Sequence, residues 1–139
     1  MTLARRPRSP HPQLAIMPTA AFPPVRIGTV GLRNYGAYVC KLLEEHGRLS
    51  DAAARLTAVG STPNAPQETV ERLRAAGVRV VDGFDALLQE DIEAVWIPFP
   101  IDLHREFTAK ALAAGKAVMC EKPVAGSVEE VDADRKSVV

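Results

Sequence analysis

The chain has 139 residues, 47% of them apolar, and a formal net charge of zero, which suits one domain with a buried core. Arg5, Arg6 and Arg8 lie in the first 24 residues with no acid among them, leaving 14 of the 17 basic residues against all 17 acidic ones in the remainder. That mildly acidic body argues against a nucleic-acid partner, and no apolar run reaches the roughly 18 residues needed to cross a bilayer. Cys40 and Cys120 are too few and too far apart to suggest a disulfide framework or a metal site, and read as buried thiols in a reducing cytoplasm. Arg5-Arg6 is followed by proline-broken sequence without a continuous apolar core, so it does not read as an export signal. A cytoplasmic protein is expected.

Residues 1–24 hold six of the eleven prolines and show neither helical nor strand periodicity, the pattern of a disordered tail. From Val25 two kinds of segment alternate. Val25 to Val30 is a short strand, and Gly31-Leu32-Arg33-Asn34-Tyr35-Gly36 is a glycine-punctuated turn into a helix over 35–46, with Gly47 as its cap. Such a turn leaves unpaired N–H groups at a helix N-terminus, where the dipole also favours an anion. Residues 55–61 form a second strand ended by Gly60-Ser61-Thr62-Pro63. A second helix follows over 66–76, then a strand over 78–81 and a brief helix capped by Asp82. Ala94-Val95-Trp96-Ile97 is a fourth strand stopped by Pro98 and Pro100. Leu103, Phe107, Ala111 and Leu112 mark a helix closed by Gly115, and 117–120 is a fifth strand. Ser127 and Glu130 form a capping box for another helix. The helix charges Glu44, Glu45, Glu71, Arg72 and Arg74 read as solvated faces.

Strand and helix alternating with short connections imply an α/β fold with a parallel sheet covered on both faces. Right-handed crossovers make a Rossmann-like doubly wound domain the simplest closure, and a flavodoxin-like strand order is the alternative. Gly31 and Gly36 fill the first and third glycine places of a dinucleotide turn, but Arg33 occupies the second. Its guanidinium either meets a phosphate, the 2′-phosphate of NADP(H) included, or is solvated. At the end of the second strand Ser61 and Thr62 stand where NAD-preferring proteins present a carboxylate. Without that repulsion NADP is favoured over NAD, unless the two residues only close a turn.

Three blocks carry a family resemblance: the turn 31–36, the run Ala94-Val95-Trp96-Ile97-Pro98-Phe99-Pro100-Ile101-Asp102-Leu103-His104, and Ala114-Gly115-Lys116-Ala117-Val118-Met119-Cys120-Glu121-Lys122-Pro123. In this order and spacing the chain, over about residues 25–133, resembles the N-terminal domain of the Gfo/Idh/MocA oxidoreductases. The resemblance implies an NAD(P)-dependent hydride-transfer enzyme acting on a small sugar or polyol-like substrate. It makes Gly31, Arg33, Asn34, Tyr35, Gly36, Ser61, Thr62, Pro100 and Glu121 candidate cofactor residues. Lys122 is then the candidate catalytic residue, orienting substrate and relaying a proton, with Pro123 bending the chain in a cis bond. His104 either lines the substrate site or serves as a capping or packing residue. Phe99 departs from the small hydroxyl residue common at its place.

The family's acid/base Asp and His and its substrate domain belong to sequence beyond residue 139, so the sheet is expected to be incomplete at its C-terminal edge, and oligomerisation to need that further domain. Residues 134–139, Asp-Arg-Lys-Ser-Val-Val, abandon the helical pattern and read as a non-native tail of translated adapter sequence. Two functions remain open: the nucleotide-binding half of an oxidoreductase, inactive alone, or a non-catalytic dinucleotide-binding regulatory or partner-binding module.

Overall fold

The computed structural model describes residues 22–123 and 127–129. Strand and helix alternate throughout: β1 (Val25–Val30), α1 (Asn34–Gly47), β2 (Ala54–Ser61), α2 (Gln67–Ala75), β3 (Arg79–Asp82), α3 (Gly83–Leu88), β4 (Ala94–Ile97), α4 (Ile101–Ala113) and β5 (Ala117–Cys120). Every pairing is parallel and the strand order is β3-β2-β1-β4-β5. The chain steps outward from β1 to β3, then crosses back to lay β4 on the other side of β1. Winding therefore reverses between β1 and β4, the place where ligands of such sheets bind. This is the Rossmann-like order, and the flavodoxin-like alternative is excluded. β5 forms an edge of the described sheet, with Met119 about half exposed.

Helices cover both faces of the sheet, and the fully buried strand residues lie in the central strands β1, β2 and β4. On one face Val30, Ala58, Val95 and Ile97 pack with Phe84, Leu87 and Leu88 of α3 and Ala111 of α4. On the other, Leu56 and Val59 pack with Val39, Cys40 and Leu43 of α1 and Val70 and Leu73 of α2. Leu56 and Val59 are three apart and would point to opposite faces of a regular strand. They share a face because Ile27 pairs with Leu56 but Gly28 pairs with Ala58, so Thr57 is an extra residue that resets the alternation.

Several sequence expectations need adjustment. Gly47 ends α1 from inside the helix, and the cap is Arg48 in the right-handed region. Gly77 and Gly115, by contrast, have φ of +82° and +72° just beyond α2 and α4, as terminating glycines should. Asp82 stands at the N-cap of α3 but makes no capping bond, since its carboxylate accepts from Ser61 Oγ at 3.4 Å instead. Glu44 is not on a solvated face: it accepts from the half-exposed Arg72 guanidinium with both carboxylate oxygens, at 2.7 and 2.9 Å, tying α1 to α2. Of the two thiols only Cys40 is buried, and burial pushes it up to about 12. The capping box at Ser127 lies partly outside the described residues, as do the tail 1–21 and residues 130–139. Among the described residues no helix is long and apolar enough to cross a membrane.

Gly60 is fixed by a backbone contact, because a Cβ there would lie 2.6 Å from the carbonyl oxygen of Gly83 at the start of α3. Gly60→Ala is expected to lower stability by about 1–3 kcal/mol in urea unfolding, and an unchanged midpoint would mean that α3 is free to move away. Cys40 should resist thiol reagents at pH 8 until the chain unfolds, because almost none of it is thiolate at that pH. Rapid native-state modification of Cys40 would contradict this.

Candidate functional site

At the C-terminal end of β1 the chain turns at Gly31, whose φ of +86° favours glycine. Its N–H donates to the Gly60 carbonyl at 2.9 Å, and Leu32, 1% exposed, anchors the turn in the core. Arg33 is extended at φ −127° and stands at the N-cap of α1. Asn34 has φ +49°, a left-handed conformation that asparagine tolerates better than most residues. Gly36 is required by contact, since a Cβ there would lie 2.6 Å from the Gly31 carbonyl oxygen. No side chain caps α1, and its first turn holds no acid. The first helical bond runs from the Ala37 N–H to the Arg33 carbonyl at 3.4 Å. The N–H groups of Asn34, Tyr35 and Gly36 therefore precede the helical ladder and are positioned to donate to an anion. The Arg33 side chain is exposed and makes no ion pair among the described residues.

The Glu-Lys-Pro turn after β5 lies against this glycine turn, joined to it by the bond between Tyr35 and Glu121. Its backbone is held by the Glu121 N–H, which donates to the Ile97 carbonyl at 3.2 Å. Glu121 Oε1 accepts from Trp96 Nε1 at 3.0 Å and from Tyr35 Oη at 3.1 Å, joining residues from β4, α1 and the turn. The bond to the carboxylate, with burial second, holds the Tyr35 hydroxyl above its ordinary range, so it remains a donor. Lys122 is exposed and its bond to Pro123 is cis. Pro100 stands at the N-cap of α4. Phe99 lies across the turn, its ring 3.5 Å from where a Gly31 Cβ would sit. It meets Phe107 edge-on at 5.2 Å, and Phe107 stacks on Phe84 at 4.1 Å. The aromatic ring thus occupies the place where a small hydroxyl residue would leave space.

Of the two roles open to His104, lining the substrate site or packing, its surroundings match the packing one. It is 1% exposed, with Nε2 at 2.6 Å from the Phe99 carbonyl and Nδ1 at 2.8 Å from the Pro123 carbonyl. Both partners are acceptors, so both contacts are hydrogen bonds only when each ring nitrogen carries a proton. The ring is a strut between the loop after β4 and the Glu-Lys-Pro turn.

Ser61 and Thr62 line a cavity of about 570 Å³, together with Gln67, Arg74, Asp82 and Gly83. Register pairs Ser61 with Asp82 across β2 and β3. The edge is therefore not free of carboxylates, as the sequence of β2 suggests, because the neighbouring strand brings one. Arg74, read from the sequence as part of a solvated face, lines this cavity beside Ser61 and Thr62. Arg74, Asp82 and Trp96 are the members of the site that the sequence did not reveal. Register across strands is invisible in sequence, though a tryptophan N–H in an apolar strand is a signal for an acceptor nearby.

Residues 25–135 match the Gfo/Idh/MocA oxidoreductase family, NAD-binding Rossmann fold. The chain belongs to that family. Over 114 residues it is 34% identical to the inositol 2-dehydrogenase of Rhizobium meliloti, a match covering 82% of this chain and 32% of that protein. A shorter stretch of 59 residues is 49% identical to a dTDP-3,4-didehydro-2,6-dideoxy-alpha-D-glucose 3-reductase of Streptomyces violaceoruber, covering 39% of this chain and 17% of the reductase. Among solved structures, the scyllo-inositol dehydrogenase of Lactobacillus casei with NAD(H) and scyllo-inositol aligns at TM-score 0.67 and 30% identity, over 84% of this chain and 33% of the dehydrogenase. A 3-ketoreductase of Actinomadura kijaniata in complex with NADP and TDP-benzene aligns at TM-score 0.67 and 28% identity, over 83% and 34%. The chain spans about a third or less of the length of these family members, and what it matches is their NAD(P)-binding domain.

His104→Ala would remove the ring that spans two carbonyl oxygens and leave at least one of them without its donor in a buried place. A loss of about 2–4 kcal/mol in chemical unfolding is expected. A loss below about 0.5 kcal/mol would mean that neither contact carries weight.

Proposed function

We propose that this chain is the dinucleotide-binding half of a cytoplasmic oxidoreductase that moves a hydride between NAD(P)(H) and a small sugar or polyol. The observation that carries this reading is the 3.1 Å bond from Tyr35 to Glu121, which draws the phosphate turn and the Glu-Lys-Pro turn together at the reversal point of the sheet. The residues present fit such a cofactor, since Gly36 keeps the cradle open to backbone approach and the uncapped start of α1 offers its N–H groups. The dinucleotide, when bound, supplies the hydride donor or acceptor. Gly31, Asn34, Tyr35 and Gly36 hold the pyrophosphate through backbone, with Arg33 adding charge from the rim. Pro100 and Glu121 bound the nicotinamide end. Lys122, exposed on its turn, holds a substrate hydroxyl and takes or returns its proton.

The same reading gives NADP(H) precedence over NAD(H). Ser61 and Thr62 offer hydroxyl donors to a 2′-phosphate, and Arg74 supplies a guanidinium in the same cavity, opposed by Asp82. The relatives support a dinucleotide of either kind, one being bound to NAD(H) and one to NADP.

Titration of the chain with NADPH and NADH, followed through Trp96, its only tryptophan, tests both levels. NADPH should bind more tightly. Arg74→Gln should weaken NADPH about tenfold with little effect on NADH, and Asp82→Asn should strengthen it severalfold. Binding of neither cofactor would overturn the dinucleotide reading and leave a partner-binding module. A preference for NADH would overturn only the assignment of the 2′-phosphate.

A further inference from the structure

Glu121 is held in an unusual way for a carboxylate at a candidate ligand edge. Its two donors are both neutral, Tyr35 Oη at 3.1 Å and Trp96 Nε1 at 3.0 Å, and both converge on Oε1. No lysine or arginine pairs with it among the described residues. Its backbone is pinned to Ile97 at 3.2 Å. Trp96 is itself fixed within the sheet, paired in register with Thr29 and Met119, and its carbonyl accepts from Thr29 Oγ1 at 3.0 Å. Tyr35 leans on Tyr38, ring centroids 5.8 Å apart.

We propose that Tyr35 and Trp96 are positioning residues that lock Glu121 Oε1 and so present Oε2 as a fixed acceptor to a ribose hydroxyl at the nicotinamide end of a bound dinucleotide. This rests on the dinucleotide reading above and adds to it how the acceptor is oriented. A glutamate side chain has several rotamers, and an acceptor that must be ordered at the moment of binding gives up affinity. Here two donors from separate elements have already removed that freedom. Because neither donor is charged, the carboxylate keeps its full negative charge for a neutral hydroxyl, the kind of hydrogen bond that is stronger than a neutral pair. Tyr35 also begins α1, so the phosphate turn and the acceptor form one unit.

The test is a cycle of isosteric variants of the whole chain, titrated with NADPH, NADH and adenosine 2′,5′-bisphosphate, the last of which lacks the distal ribose. Tyr35→Phe should weaken the tighter of the two dinucleotides about three- to tenfold while the bisphosphate stays within about twofold. Glu121→Gln keeps an oxygen for the two donors but turns the other position into an N–H₂ donor, so it should show at least the same selective loss. In the double variant, Tyr35→Phe should add little to Glu121→Gln. Equal loss for dinucleotide and bisphosphate would make Tyr35 merely structural and overturn the proposal. No loss for Tyr35→Phe, or additive losses, would also overturn it while leaving the dinucleotide reading intact. If the wild-type chain binds neither dinucleotide, the parent reading fails and this one with it.

Discussion

Contact between backbones, with no side chain between them, sets the geometry of this domain. The first turn of α1 presses on the end of β1 so closely that a Cβ on Gly36 would lie 2.6 Å from the Gly31 oxygen, and β2 meets the start of α3 in the same way through Gly60 and Gly83. A helix seated that tightly cannot slide along its strand. Its N-terminal N–H groups are therefore delivered to one place, beside the point where the sheet reverses its winding. Gly31 and Gly60 are also joined by a hydrogen bond, so the two close contacts lie side by side on adjacent strands.

The surface cations divide into paired and unpaired ones. Several cations away from the edge are matched, Arg26 with Asp91 and Glu93, Arg72 with Glu44, Arg79 with Glu90, and Lys110 with Asp85 and Glu106, whereas Arg48, Arg55 and Arg105 make no ion pair among the described residues. Exposed pairs of this kind contribute little to stability, though the Arg72–Glu44 pair, in which Nη1 donates to both carboxylate oxygens, ties two helices. Near the ligand edge, Arg33, Arg74 and Lys122 make no ion pair among the described residues.

Much of the fold is legible in the sequence because each segment obeys a local rule. Val30 and Leu43 lie on apolar periodicities, Gly77 and Gly115 stop helices by adopting positive φ, and the blocks around Gly31 and Glu121 identify the family. What the sequence withholds is lateral. Ser61 meets Asp82 through strand register, Trp96 meets Glu121 across 25 residues, and Tyr35 meets Glu121 across 86. His104 shows the same gap: a histidine near a cleft is a reasonable substrate contact until the fold supplies two carbonyls that claim both of its nitrogens. Such contacts are set by tertiary packing, which periodicity and turn chemistry do not encode.

The extra residue in β2 has a mechanical consequence. Thr57 takes no partner in the ladder with β1, and its hydroxyl has no hydrogen-bond partner among the described residues either. It acts as a splice, so the half of the strand beginning at Ala54 and the half ending at Ser61 keep separate phases. The first half answers to the helix layer through Leu56, and the second to the ligand edge through Gly60 and Ser61. Changes in the loop before β2 can thus be absorbed upstream of the splice without rotating the residues that reach the cavity.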